Sequence, residues 1–236
     1  MPELDLDQRL RQVLTQIQRC AQEYGRESGS VRLLAVSKTH SVAEIEQLFS
    51  AGQSCFGENY VQEALPKIEA LAHHPLEWHF IGQIQSNKAA ILATHFAWVH
   101  SVCSLKVAQR LNAQRPAALP PLNICLQVNI SQEATKAGLS PTEVSPLAIA
   151  IQSLPRLRLR GLMAIPAPCT ELAQQRQPYR QLRELLAQLQ QQGLAVDTLS
   201  MGMSADLAAA IAEGATWVRV GTALFGPRGI PGDIQP

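Results

Sequence analysis

The sequence predicts one (β/α)8 barrel with an extra helix in front of it. Short apolar runs alternate eight times with stretches of helical spacing, the pattern of parallel βαβ units. Each apolar run is brief and nearly continuous, as expected of strands buried on both faces. The eight units fit into roughly 200 residues with no shift in composition and no linker-like segment. That favours a closed barrel over an open doubly wound sheet, the other architecture such alternation allows. Residues 1–236 are read as one domain, with the leading helix inside 1–30 and a tail at 229–236.

Leu10, Val13, Leu14, Ile17 and Ala21 recur at helical spacing and place the leading helix at about 5–24. VRLLAVS is the first strand. Ser41 and Glu44 form a capping box that opens the next helix, which Gly52 closes. QSCFG is the second strand and NYVQEALPKIEALA its helix; LEWHFIG is the third, followed by SNKAAILA; FAWVHSV is the fourth, followed by SLKVAQRLNAQ. Beyond a proline-bearing loop at 116–121, NICLQVNI is the fifth strand, and a loop through Gly138 leads to the helix PTEVSPLAIAIQSL. LRLRGLMAI is the sixth strand. Its helix sets Leu182, Leu185, Leu186 and Leu189 on one face and ends at Gly193. AVDTLSM, the helix SADLAAAIAEG, and TWVRVGTALFG with its exit loop complete the count. The glutamines from 188 to 192 read as the solvent face of a helix end.

With 46% hydrophobic and 17% charged residues, the chain has the composition of a globular protein. Twenty basic against 19 acidic residues leave a net charge of +1, which gives no electrostatic case for nucleic acid or an anionic membrane. The N-terminal MPELDLDQRLRQVL carries acids where a secretory signal needs a basic then an apolar segment. No apolar stretch approaches the roughly 18 residues of a membrane span. Cys20, Cys55, Cys103, Cys125 and Cys169 are odd in number, scattered and without a C-x-x-C. They read as small buried hydrophobes in a reducing compartment, and the expected location is the cytoplasm.

In a barrel, chemistry collects in the loops after the strands. Lys38 lies in the first of these. The usual anion pocket is built from the loops after strands seven and eight, here SMGMS (200–204) and VGTALFG (220–226). Both offer small residues whose backbone N–H groups can approach an anion, although glycine there also serves tight turns and packing. Ser204 and Asp206 stand at a helix start, and Arg219 can add a fixed cation. In a closed barrel strand eight neighbours strand one at about 4.8 Å, so Lys38 and the Gly221 turn are adjacent. An amine beside an anion cradle points to a phosphorylated aldehyde held as a Schiff base. A class I aldolase-like barrel with a transient adduct satisfies the same residues and stays open.

Other motifs carry less. Ser86, Asn87 and Lys88 read as a polar helix cap. His73, His74 and His79 have no acidic or cysteine partner at ligand spacing, so no metal is expected. Asn129-Ile-Ser131 matches a glycosylation acceptor but falls on a strand. Neither G-x-G-x-x-G nor G-x-x-x-x-G-K-[ST] occurs.

Seven blocks in order, AVSKTH, CFGENYVQE, WHFIGQIQSNK, QVNIS…ATKAGL, GLMAIPA, SMGMSADL and VRVGTALFG, resemble the pyridoxal 5′-phosphate (PLP) homeostasis proteins over about residues 31–228. The resemblance implies a barrel like the alanine racemase N-terminal domain, with PLP held as a Schiff base on Lys38. It implies that Ser200, Gly202, Ser204, Arg219, Gly221 and Thr222 line the phosphate and ring site, with Asn59 and Met163 among the cofactor-binding residues. It departs at His40, where many relatives carry a basic residue such as lysine. The implied role is to buffer PLP and deliver it to apo PLP-dependent enzymes, with effects on amino-acid and keto-acid balance and without an established reaction. Only ten residues follow Gly226, leaving no room for the second domain that gives alanine racemases an opposing tyrosine. A monomer is expected. The alternatives are a PLP-dependent racemase or lyase, and an adaptor that carries PLP for stability.

Overall fold

A computed structural model describes residues 5–133 and 136–226. The tail at 229–236 and Ala134–Thr135 of the ATKAGL block lie outside the described residues. The strands are β1 (Arg32–Val36), β2 (Cys55–Glu58), β3 (Glu77–Phe80), β4 (Trp98–Val102), β5 (Leu122–Gln127), β6 (Leu157–Met163), β7 (Thr198–Ser200) and β8 (Trp217–Val220). They pair in parallel in sequence order, and β8 pairs with β1 to close the barrel. The helices are α1 (Leu6–Glu23), α2 (Val42–Ser50), α3 (Val61–Ala70), α4 (Ala89–His95), α5 (Leu105–Gln114), α6 (Pro141–Ile151), α7 (Leu172–Gln191), α8 (Leu207–Ala212) and α9 (Thr222–Phe225). The (β/α)8 barrel with an extra N-terminal helix is therefore the observed fold.

Local chemistry fixes the helix starts. Asp5 caps α1 by accepting from the Gln8 N–H at 2.7 Å. At α2, Glu44 donates its N–H to Ser41 Oγ and its carboxylate accepts from the Ser41 N–H at 2.7 Å, the reciprocal pair read from the sequence. A second pair, the Ser140 N–H to Glu143 Oε2 at 2.8 Å, opens α6. α1 buries Leu10, Val13, Ile17, Cys20 and Ala21 against α2, α8 and α9. α7 buries Tyr179, Leu182, Leu186 and Leu189, with Leu185 only half-buried, and exposes the glutamines of its end. Glu213, fully buried behind α8, draws Arg176 to 2.8 Å and Arg183 to 3.0 Å and ties the two helices together.

The main apolar core lies between strands and helices. Inside the barrel the packing differs. Leu34, Cys55 and Trp217 form one small cluster and Trp98, Cys125 and Met163 another; between them run the fully buried His79, His100 and Ser200. Arg32 lies over the Trp217 ring at 4.0 Å and Arg160 over Trp98 at 4.9 Å, closing the end of the barrel opposite the site loops.

Two expectations change. The last run was read as a strand with an exit loop, yet Thr222–Phe225 close one helical turn, α9. Cysteines were read as buried, and Cys20, Cys55 and Cys125 are, but Cys103 is exposed: it follows β4 directly and leaves the sheet with the chain.

Candidate functional site

Lys38 follows β1 and is half-buried at the end of the barrel where the strands terminate. α3 grips its turn from both sides. Lys67 Nζ donates to the Ser37 carbonyl and to Glu58 Oε1, each at 2.8 Å, and Glu63 Oε2 accepts from the Thr39 N–H at 3.1 Å. Ser37 Oγ donates to the same Glu58 oxygen at 2.7 Å. Thr39 sits at φ +67°, a left-handed conformation that β-branched residues avoid and that persists only where neighbours impose it. Burial pushes the Glu58 carboxyl up, while Lys67 and Ser37 pull against that shift.

The closing pair places the last turn beside this one: Ala35 lies opposite Val220. A Cβ at Gly221 would meet Val36 at an ordinary 3.5 Å, and its φ is negative. The protein itself makes no demand for glycine there. Gly202 is the opposite case, at φ +91° with a would-be Cβ only 2.4 Å from that of Ala210; its turn and its packing both need glycine. His40 stacks on Phe225 with ring centroids 4.1 Å apart and planes 14° apart, and its Nδ1 is 3.1 Å from Glu44 Oε1. Residue 40 thus straps the Lys38 turn to α9.

Arg219 spans the floor of this mouth. NH1 donates to Ser200 Oγ and NH2 to the Ala164 carbonyl, both at 2.9 Å, and its backbone N–H donates to the Gly202 carbonyl at 2.9 Å. It is buried and, among the described residues, forms no salt bridge. Burial pulls its guanidinium below the ordinary value, against the Tyr179–Asp206 pair beside it. Those two are themselves joined, Tyr179 OH donating to Asp206 Oδ2 at 2.6 Å, while Asp206 Oδ1 accepts the Met203 N–H and closes the turn before α8.

Asn59 follows β2, and Gly82 lies so close that a Cβ there would fall 1.9 Å from the Asn59 carbonyl oxygen. Asn59 Oδ1 is buried with no hydrogen-bond partner among the described residues. Such an atom is costly unless something meets it. Asn59 and Lys88 share a cavity of about 140 Å³ with Tyr60, Gln83 and Gln85. The capping role expected of Ser86, Asn87 and Lys88 is absent: they form a single 3-10 turn, and no side chain caps α4.

Lys38, Asn59, Ser200, Gly202, Arg219, Gly221 and Thr222 thus share one end of the barrel. Ser204 is exposed on its rim, and Met163 lies below, packed with Trp98 and Cys125 beside its strand partner Ser200. Sequence reasoning missed Glu58, Glu63 and Lys67, which hold the lysine turn, and the histidine pair under Ser200. His73 and His74 do acquire an acidic neighbour, Glu46 Oε1, at 3.7 and 3.6 Å; the fold supplies what spacing did not.

The clamped lysine turn lies beside the turn that follows β8, in a closed eight-stranded barrel, and residues 9–229 match the family described as alanine racemase, N-terminal domain. The chain is 59% identical to the pyridoxal phosphate homeostasis protein of Pseudomonas aeruginosa PAO1 over 216 residues, 92% of this chain and 93% of that one. PipY of Synechococcus elongatus PCC7942, solved with PLP bound, superposes at a TM-score of 0.83 with 40% identity, over 94% of this chain and all of that one. The chain belongs to the pyridoxal phosphate homeostasis protein family. Alanine racemase of Clostridium difficile 630 shares the fold at a TM-score of 0.71 and 16% identity, over 93% of this chain and 60% of that one. No helix among the described residues is long and apolar enough to cross a membrane.

Proposed function

We propose that this chain binds PLP at the clamped end of the barrel, through Lys38, and serves in the cytoplasm to buffer the cofactor and hand it to apo PLP-dependent enzymes, as a monomer and without a reaction of its own. The observation that carries the reading is the closure of β1 on β8, which sets Lys38 beside a Gly221 turn whose glycine the protein does not itself require. The residues fit the group. PLP supplies an aldehyde that condenses with an amine. The clamped turn between Ser37 and Thr39 fixes the backbone that carries that amine, and Thr222 opens α9, whose first N–H groups face no carbonyl within the helix. Among the described residues Arg219 is a buried cation without a carboxylate, which an anionic ligand satisfies, and Asn59 Oδ1 is a buried acceptor without a donor, which a ligand O–H or N–H would meet. The likeness to PLP-bound PipY and the name of the P. aeruginosa relative support the same reading.

The test is an absorbance spectrum of the purified chain with PLP, before and after borohydride. The expected result is an adduct band that borohydride converts to a PLP-sized mass on the Lys38 peptide, and that Lys38→Ala lacks. PLP should then pass slowly to an apo-enzyme, with no turnover of amino acids. An adduct on another lysine overturns the site. Racemisation or lysis of an amino acid at ordinary enzyme rates, on the order of 10 per second, replaces the carrier by a PLP-dependent enzyme.

A further inference from the structure

Below the mouth, the interior of the barrel holds an unbroken line of polar side chains. Arg219 NH1 donates to Ser200 Oγ at 2.9 Å; Ser200 Oγ and His100 Nδ1 are 2.8 Å apart; His100 Nε2 and His79 Nδ1 are 2.9 Å apart; His79 Nε2 and Glu77 Oε1 are 2.9 Å apart. Both histidines are completely buried, while the Glu77 side chain is 36% exposed at the opposite end. Barrel interiors are ordinarily filled by branched apolar side chains, so a polar line here is a departure that packing alone does not call for.

The line has one consistent direction. A carboxylate only accepts, so His79 Nε2 carries a proton and Nδ1 is left as an acceptor. His100 Nε2–H then donates to it, and His100 Nδ1 accepts the Ser200 hydroxyl proton. Ser200 keeps its lone pairs for Arg219. Every donor points from the guanidinium toward the carboxylate, both rings are neutral Nε2–H tautomers, and burial, which holds both imidazoles below their usual value, agrees. The charged groups that face the line are Arg32 and Glu77 at the floor and Arg219 at the mouth, with Asp206 beyond it, joined to the neutral Tyr179 hydroxyl; the Cys55 thiol lies beside Glu77 and the Cys125 thiol beside Arg219. Cys55, Glu77 and His79 also lie within 4.8 Å of one another, a metal-like spacing, but Arg32 NH2 stands 3.3 Å from the Cys55 sulfur and 3.4 Å from Glu77. That corner already has its cation.

We propose that Glu77, His79 and His100 are positioning residues for the bound cofactor: through Ser200 they fix the orientation of Arg219, and so link the charge at the barrel floor to the hold on the ligand at the mouth. The proposal rests on the reading that PLP sits at the Lys38 and Arg219 end. Linkage between the two ends is reciprocal, and couplings of this kind amount to about 5-fold to about 150-fold in affinity.

The experiment uses the full chain in four forms: native, His100→Leu, His100→Gln and Glu77→Gln. Two quantities are read with PLP bound: the pH midpoint of the adduct band and the rate of PLP release into a semicarbazide trap. His100→Leu is expected to speed release by about 5-fold or more and to move the midpoint. His100→Gln, whose amide can accept from Ser200 and donate to His79, restores both values. Glu77→Gln keeps an acceptor but removes the charge, and shifts the midpoint although residue 77 is at the far end. Ring-nitrogen shifts of the PLP-free native chain are expected to show both histidines as neutral Nε2–H tautomers. Native values in His100→Leu and Glu77→Gln, or an Nδ1–H tautomer at either ring, overturn the relay. If His100→Leu does not fold, Glu77→Gln and the ring-nitrogen shifts decide. Absence of any Lys38 adduct in the native chain instead defeats the reading of the site, and the tautomers then judge the line by themselves.

Discussion

Lowering the pH from about 7.5 to about 5.5 is expected to destabilise the protein through its barrel interior. His79 and His100 are both held neutral by burial, with their folded-state values below the ordinary 6.5, His100 well below it. Below 6.5 the unfolded chain takes up protons that the folded interior refuses, so stability falls as the solution is acidified. For one histidine that stays neutral when folded, the loss is RT ln(1 + 10^(6.5 − pH)), about 1.4 kcal/mol at pH 5.5 and under about 0.1 at pH 7.5. His100 supplies that full amount. His79 adds less, because Glu77 supports its charged form, so the pair contributes between about 1.4 and about 2.7 kcal/mol. Glu58 works the other way, since burial raises its carboxyl and acid therefore favours the folded state there. The surface histidines are common to every variant. The assay is urea unfolding of the native chain and His100→Gln at both pH values. The native chain should lose about 1.4 kcal/mol more than the variant between them. Losses equal to within about 0.5 kcal/mol would refute the claim that His100 is a neutral, proton-refusing core group.

The two late glycines should separate cleanly. Gly202→Ala, forced against Ala210 at φ +91°, is expected to cost about 1–3 kcal/mol in urea unfolding; Gly221→Ala should leave stability within about 0.5 kcal/mol yet weaken PLP retention by about tenfold, the loss of one hydrogen bond to a charged group. Lys67→Met strands the buried Glu58 carboxylate and should cost about 3–5 kcal/mol, with Lys67→Met/Glu58→Gln regaining most of it; an additive double variant would show that the pair is not coupled.

How far the sequence carries depends on the range of the contact. The barrel was legible because each strand is a continuous apolar run, and the position of Lys38 and Gly221 just past two strand ends because such an end is visible as the place where the run stops. Boundaries shrank where pairing is thin: AVDTLSM yields only Thr198–Ser200, since β7 meets β8 at a single pair, Ser200 with Trp217. α9 escaped because four residues are too few to show a period. His40 gave no hint of its stacking partner, which the chain brings up only after closing the barrel. The clamp of Glu58, Glu63 and Lys67 was hidden for a different reason: an amphipathic helix with a lysine and a glutamate reads as solvated, and only its register over the β1 turn buries Lys67 against Glu58 at the end of β2.

The histidine line did leave a trace, one that the depth of the strands obscured. In a strand every second residue points the same way, and β4 and β8 read Trp98-Val99-His100 and Trp217-Val218-Arg219, a large aromatic followed two places later by a polar group. β3 has Glu77 and His79 two places apart, so that they too face the same way. In a sheet with one solvated face such polar residues would pass as outward. Here both faces are buried, so the alternation has a single remaining meaning: the polar group faces the axis, one layer nearer the mouth than its tryptophan. The tryptophans do the complementary task. His79 lies parallel to Trp98 with centroids 5.4 Å apart and edge-on to Trp217 at 4.7 Å, and Arg160 and Arg32 cover those indoles from outside. Water is thereby kept from the line above, and in that low-dielectric interior a hydrogen-bonded chain keeps its direction instead of exchanging partners with solvent.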